Sequence, residues 1–259
     1  MLGEDPAAGL AALYESGVRC LTLTWTGSNE LADSAGGERR WGGLSAAGRG
    51  AVREMNRLGI VIDLSHASDE AFFAATAASR DPVLVSHSAM RSLCDIPRNI
   101  SDEMLLAVAE RGGVACVNFF PAFLDRACHA RVFEVWDRYR AERSRLAARY
   151  GGDPGRADRE ILPRYKALLR KIDLPGLAAV ADHIEHAARI AGVEHVGIGS
   201  DFDGIAVVPP GLEDASRMQA LAAELLRRGW SREEAAAVAG GNLLRLFAAV
   251  CRPGRCNAQ

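Results

Sequence analysis

Short apolar runs rich in β-branched residues alternate along this chain with longer stretches in which apolar positions recur every three to four residues. The short runs, at residues 20–24, 60–64, 83–86, 114–118 and 195–199, have the length and make-up of strands. The longer ones, at 6–16, 45–58, 68–78, 101–110, 177–191, 212–227, 231–239 and 242–250, predict helices. Three of these open on a serine followed by acids: Ser68 before Asp69 and Glu70, Ser101 before Asp102 and Glu103, and Ser231 before Glu233 and Glu234. A hydroxyl acceptor and negative charge at that end satisfy free N–H groups and the helix dipole. Alternation of strand and helix is the mark of βα units around a parallel sheet, so an α/β fold is expected. Periodicity leaves two architectures standing. One is a TIM-barrel-like (β/α)8 fold with about five of its eight strands present; the other is an open, doubly wound sheet.

Between the fourth and fifth strands, residues 125–173 are rich in Arg, Glu and Tyr and broken by Gly151, Gly152, Asp153, Pro154 and Gly155. They predict two helices joined by a turn, an excursion from one domain spanning residues 1–259, because their apolar residues are few for a separate core. With 25% charged residues and a net charge of −2, the chain lacks the basic footprint of a nucleic-acid binder. No apolar run approaches the roughly 20 residues of a membrane span. Cys20, Cys94, Cys116, Cys128, Cys251 and Cys256 fall without a paired metal spacing and read as reduced thiols. A cytoplasmic location is expected, since no targeting segment is recognised. Lys166 and Lys171 are the only lysines among 31 basic residues, which suggests a GC-rich bacterial source.

In barrels and open sheets alike, reactive groups collect just past the carboxyl ends of strands. That rule selects His66, His87, Asp201 and Asp203. His66 and His87, 21 residues apart, would stand on adjacent strands at one rim, where neutral imidazoles are good zinc ligands; the alternative is a pair of hydrogen-bonded core histidines. Of Asp201 and Asp203, one would face the rim and the other bind backbone amides near Gly204, and a carboxylate beside a metal-bound water can move a proton. Arg98, in the loop after His87, could grip a carboxylate bidentately. His183 and His186 lie three apart on one helix face, a spacing that can hold a metal, but their helix precedes its strand, which favours supporting or surface roles. His129 belongs to the excursion and His195 starts its strand at the opposite rim.

Seven segments, in order, resemble the membrane (renal) dipeptidase family of zinc peptidases. They are Tyr14 to Thr24 (YESGVRCLTLT), Gly43-Leu44-Ser45, Asn56 to His66 (NRLGIVIDLSH), Ser86-His87-Ser88, Pro97-Arg98-Asn99, Gly199 to Gly204 (GSDFDG) and Gly241 to Arg245 (GNLLR). Outside residues 125–173 the match covers almost the whole chain. The resemblance implies a TIM-like barrel and hydrolysis of dipeptides. His66 and His87 would ligate one zinc of a binuclear pair, Arg98 would hold the dipeptide's terminal carboxylate, and Asp201 would handle protons at the scissile amide.

The family also binds metal through a His-x-Asp pair on its first strand and a Glu-Gly segment at the end of its third, and neither occurs here. From this, an amino-terminal segment carrying three strands is expected to be absent from the chain. Thr24 is followed by Trp25, where many members have a histidine that helps stabilise the transition state. Three alternatives follow: a dipeptidase sequence lacking that segment, a binding or scaffolding remnant, and a short enzyme with one zinc on His66, His87 and Asp201. The resemblance implies a dipeptide as partner, with a homo-oligomer left open.

Overall fold

The computed structural model describes residues 6–252. After α1 (Pro6–Glu15), five strands alternate with helices: β1 (Cys20–Thr22), α2 (Ala46–Leu58), β2 (Val61–Asp63), α3 (Asp69–Ala78), β3 (Leu84–Ser88), α4 (Asp102–Glu110) and β4 (Val114–Val117). A short α5 (Pro121–Leu124) leads into an antiparallel pair, α6 (Arg126–Arg149) and α7 (Pro154–Leu169). Then come α8 (Leu177–Ala191), β5 (Val196–Ile198), α9 (Met218–Arg227), α10 (Arg232–Ala236) and α11 (Asn242–Val250).

Caps set the helix limits. Ser45, Ser68, Ser101 and Ser231 each accept a backbone N–H from the first turn of α2, α3, α4 and α10, and Ser231 pairs with Glu234 in a capping box. α2 stops at Gly59, whose φ of +80° is the left-handed conformation that turns the chain into β2. The run 212–227 starts its helix late, because Asp214 accepts the Ser216 N–H and a single 3-10 turn intervenes before α9. α10 and α11 are joined through a wide turn, Ala237–Gly241, broken at Gly240.

The strands are all parallel and stand in the order β1-β2-β3-β4-β5. A doubly wound sheet reverses its strand order at a switch point, whereas a barrel adds each strand beside the last. The order observed is the barrel's, which settles between the two architectures left by periodicity. Alternation then sorts the side chains. Ile62, Val85, Ala115 and Val117 pack with Val52 and Met55 of α2, Phe72 of α3, Leu105 of α4 and Ile184 of α8. Val61, Leu84, Val114 and Cys116 face the other way, against Leu246 and Val250 of α11. Val61 and Asp63, two residues apart in β2, share a face, as do Leu84 and Ser86 in β3. So α11 closes the amino-terminal half of this second face and leaves polar side chains at the carboxyl half.

Gly199, just past β5, fits that crowded sheet because a Cβ there would lie 2.0 Å from the Ser86 carbonyl oxygen. The α6–α7 pair carries its own apolar cluster of Tyr139, Leu146, Ala157, Ile161 and Tyr165, and is anchored through Cys128, Val132 and Leu169 to Phe120 and Val207. Among the described residues no helix is long and apolar enough to cross a membrane. Cys20, Cys94, Cys116 and Cys128 are free thiols, and Cys256 lies outside the described residues.

Candidate active site

His66 and Asp201 are the only non-glycine residues with positive φ among those described, at +78° and +58°. Both stand just beyond strand ends, His66 after β2 and Asp201 after β5. A left-handed backbone without glycine is strained by order 1–3 kcal/mol and persists where the surroundings hold it, commonly at functional sites.

His87 lies within β3, and its Nε2 is 3.0 Å from the Nε2 of His66. Two nitrogens bound to one zinc at about 2.0–2.1 Å, in tetrahedral geometry, sit about 3.3 Å apart, so this pair has the separation of two ligands of one ion. Burial first, then the Arg98 cation and the neighbouring His87, pulls His66 down to about 3; burial and Arg98 also lower His87. Both rings are therefore neutral at pH 7, the form that ligates metal. Among the described residues no set of three or more His, Cys, Asp or Glu groups into a metal site, so the fit is that of a two-nitrogen partial site.

The two rings and Asp201 line a single cleft of about 390 Å³, together with Thr22, Asn29 and Trp25. Trp25 is 76% exposed at its mouth and places an indole in the loop after β1. Asp201 Oδ2 accepts the Asn118 side-chain N–H at 3.1 Å, and its backbone carbonyl accepts the Gly204 N–H. Asp203 is exposed and does not line the cleft. The expectation that one aspartate would face the rim holds for Asp201. The Gly204 amide, however, is taken by the Asp201 backbone rather than by a carboxylate.

Arg98 lines a smaller hollow, about 10 Å³, with His66. Its Nη2 donates to the His87 carbonyl at 3.0 Å, while its Nε is sealed from solvent without a partner. Burial lowers its guanidinium to about 10, with Asp63 and Asp201 opposing, so it remains a cation at neutral pH.

Sequence reasoning passed over Asp63, which is 1% exposed beneath the histidines. Its Oδ1 accepts the N–H groups of Ser65 and Ser86 at 3.0 and 2.9 Å; its Oδ2 accepts the hydroxyls of Thr22 and Ser86 at 2.6 and 2.7 Å. A lone carboxylate inside the otherwise apolar run Val-Ile-Asp-Leu was the available signal.

The other histidines are structural. His183 is buried, not at the surface; its Nδ1 accepts the Met90 N–H at 2.9 Å and its Nε2 donates to the Leu124 carbonyl at 3.1 Å, which leaves no nitrogen for a metal. His186 pairs with Asp102 at 2.7 Å, His129 bonds the Ala122 carbonyl, and His195 bonds the Gly113 carbonyl.

The profile of the membrane dipeptidase family (peptidase family M19) matches residues 1–255. Dipeptidase aclJ of Aspergillus oryzae is 36% identical over 242 residues, covering 93% of this chain and 47% of the relative. Dipeptidase 3 of Rattus norvegicus is 37% identical over 249 residues, covering 94% and 42%. The chain thus spans about half the length of the curated relatives it matches. Among solved structures, the probable dipeptidase PvdM from Pseudomonas aeruginosa superposes with a TM-score of 0.79 at 32% identity, covering 96% of this chain and 66% of that one. A profile match over nearly every residue, together with the same fold in a relative described as a probable dipeptidase, establishes that this chain belongs to the membrane dipeptidase family.

Proposed function

We propose that the protein hydrolyses dipeptides with zinc, and that His66 and His87 hold one metal ion, Arg98 receives the substrate carboxylate, and Asp201 transfers the proton. The observation that carries this reading is the pair of neutral imidazole nitrogens 3.0 Å apart in the same cleft as Asp201. A bound zinc would supply Lewis acidity toward the peptide carbonyl and acidify a water.

The chain's own groups account for the remaining work. Asp201, held by Asn118 at 3.1 Å, accepts a proton from the attacking water and returns it to the departing amine nitrogen. Arg98 donates from Nη2 to the His87 carbonyl behind His66, and a terminal carboxylate entering the cleft would pair with the remaining N–H groups of its guanidinium. The separation of this anchor from Asp201 then limits substrate length. Trp25 offers an apolar wall at the mouth in place of the family's histidine.

The test is hydrolysis of an alanine dipeptide by the zinc-loaded protein, read as release of free alanine, beside His66→Ala and His87→Ala. Turnover that both substitutions abolish supports the proposal. Absence of turnover, or turnover indifferent to both histidines, overturns it.

A further inference from the structure

The hydrogen bonds beneath His87 determine where its proton sits. Asp63 takes four donors, two on each oxygen, and as an acceptor-only group it leaves no lone pair direction for a proton of its own. The single hydroxyl proton of Ser86 is therefore committed to Asp63 Oδ2. Ser86 Oγ also lies 2.7 Å from His87 Nδ1. With its proton already given away, the Ser86 oxygen can only accept there, so Nδ1 carries the hydrogen.

The neighbouring serine agrees. Ser65 Oγ accepts the His87 backbone N–H at 2.9 Å and lies 3.2 Å from Ser86 Oγ, to which it donates. Every hydroxyl in the cluster then donates once, and no two hydrogens or two lone pairs meet. The other ring nitrogen of His87, Nε2, is left without a hydrogen, and in the metal-free protein it accepts from Nε2–H of His66 at 3.0 Å.

We propose that Asp63 is a positioning residue that acts through the Ser86 hydroxyl to lock His87 in the Nδ1-protonated tautomer, presenting a bare Nε2 to a divalent cation. This rests on the reading that His66 and His87 hold metal. Carboxylates and hydroxyls that fix a ligand ring commonly change metal affinity 10- to 100-fold when removed.

Asp63→Asn is the sharp probe. Its carbonyl oxygen can keep the two backbone N–H donors, which places its NH2 against Thr22 and Ser86. Ser86 then accepts from the amide and turns its own proton toward His87 Nδ1, which drives the ring hydrogen onto Nε2. An isosteric change thus inverts the tautomer.

Long-range 1H–15N spectra of the metal-free protein read the tautomer directly, and competition with a chromophoric chelator reads zinc and cobalt(II) affinity at pH 7.5. We expect Nδ1–H at His87 in the wild type, Nε2–H in Asp63→Asn, and an affinity loss of roughly 10- to 100-fold. Ser86→Ala should lose the lock and a similar factor in affinity, and Ser86→Thr, which keeps the hydroxyl, should restore both. This serine pair carries the test if Asp63→Asn does not fold, as judged by its melt. Wild-type metal binding that survives His87→Ala refutes the functional reading itself. Binding that needs His87 but is unchanged in folded Asp63→Asn or in Ser86→Ala refutes the relay alone.

Discussion

Acid should loosen this protein through His183, well away from the cleft. The ring projects from α8 and bridges two other segments, with Nδ1 accepting from Met90 and Nε2 donating to Leu124. A proton added at Nδ1 would point at the Met90 N–H, and the ring is buried; burial lowers its pKa to about 4 from an ordinary 6.5. Above 6.5 neither folded nor unfolded chain holds the proton, and the stability is full. Between 6.5 and about 4 the unfolded chain takes a proton that the folded one refuses, so stability falls with pH; below that both states are charged and this group adds no further loss. The interval corresponds to about 3 kcal/mol at 1.36 kcal/mol for each pH unit, most of it gone by pH 4.5. Urea unfolding of the wild type and His183→Gln, followed by far-UV circular dichroism from pH 7.5 to 4.5, isolates it. Glutamine removes the titration, so the stability gap between the two proteins should narrow by roughly 2–3 kcal/mol on acidification. Parallel pH profiles would refute the assignment of the proton to this ring.

The catalytic proposals predict separable defects. Arg98→Ala should raise KM for an alanine dipeptide by about 10- to 100-fold through loss of a charge-assisted contact, and lysine should not replace the planar fork. Asp201→Asn should lower kcat by roughly 10²-fold or more with zinc content unchanged, while exposed Asp203→Asn should leave steady-state kinetics as they were. Gly199→Ala, which drives a methyl into the Ser86 carbonyl 2.0 Å away, should cost about 1–3 kcal/mol and appear as a lowered melting temperature.

The parts of the fold that depend on near neighbours were the parts legible in the sequence. Ser68, Ser101 and Ser231 mark helix starts because a cap bonds a backbone two or three residues on. The strand core at 114–117 stands out because it is apolar on both faces, and that at 61–63 because Val61 and Ile62 continue the apolar run from Ile60. Strand order is different in kind. It depends on Leu84 meeting Val114, or Ala115 meeting Val196, and no local period encodes which runs pair. The four-residue α5 carries too few positions to show a helical repeat. In the site, His66 was visible from its position after a strand and His87 from its place at the carboxyl end of one. Asp63 draws its four donors from β1, from the turn after β2 and from β3, a convergence that only the folded sheet brings about. For the same reason the choice between a supporting and a surface role for His183 was open in the sequence, since its partners lie 93 and 59 residues away.

The placement of α11 bears on how the chain acquires its structure during synthesis. The helix-facing layer can assemble one βα unit at a time, since each strand meets helices close to it in sequence. The opposite layer cannot, because Val61, Leu84 and Val114 are covered by Leu246 and Val250, encoded after all five strands. At about 5–20 residues per second, the interval from the emergence of β2 to that of α11 is on the order of 10–40 s. Throughout it, a nascent chain on the ribosome carries a growing sheet whose strands gain helices on one side and stay wet on the other. That interval is when chaperone binding and aggregation compete for it most strongly, and codon changes that slow translation between residues 120 and 240 would lengthen the exposure without altering a single amino acid.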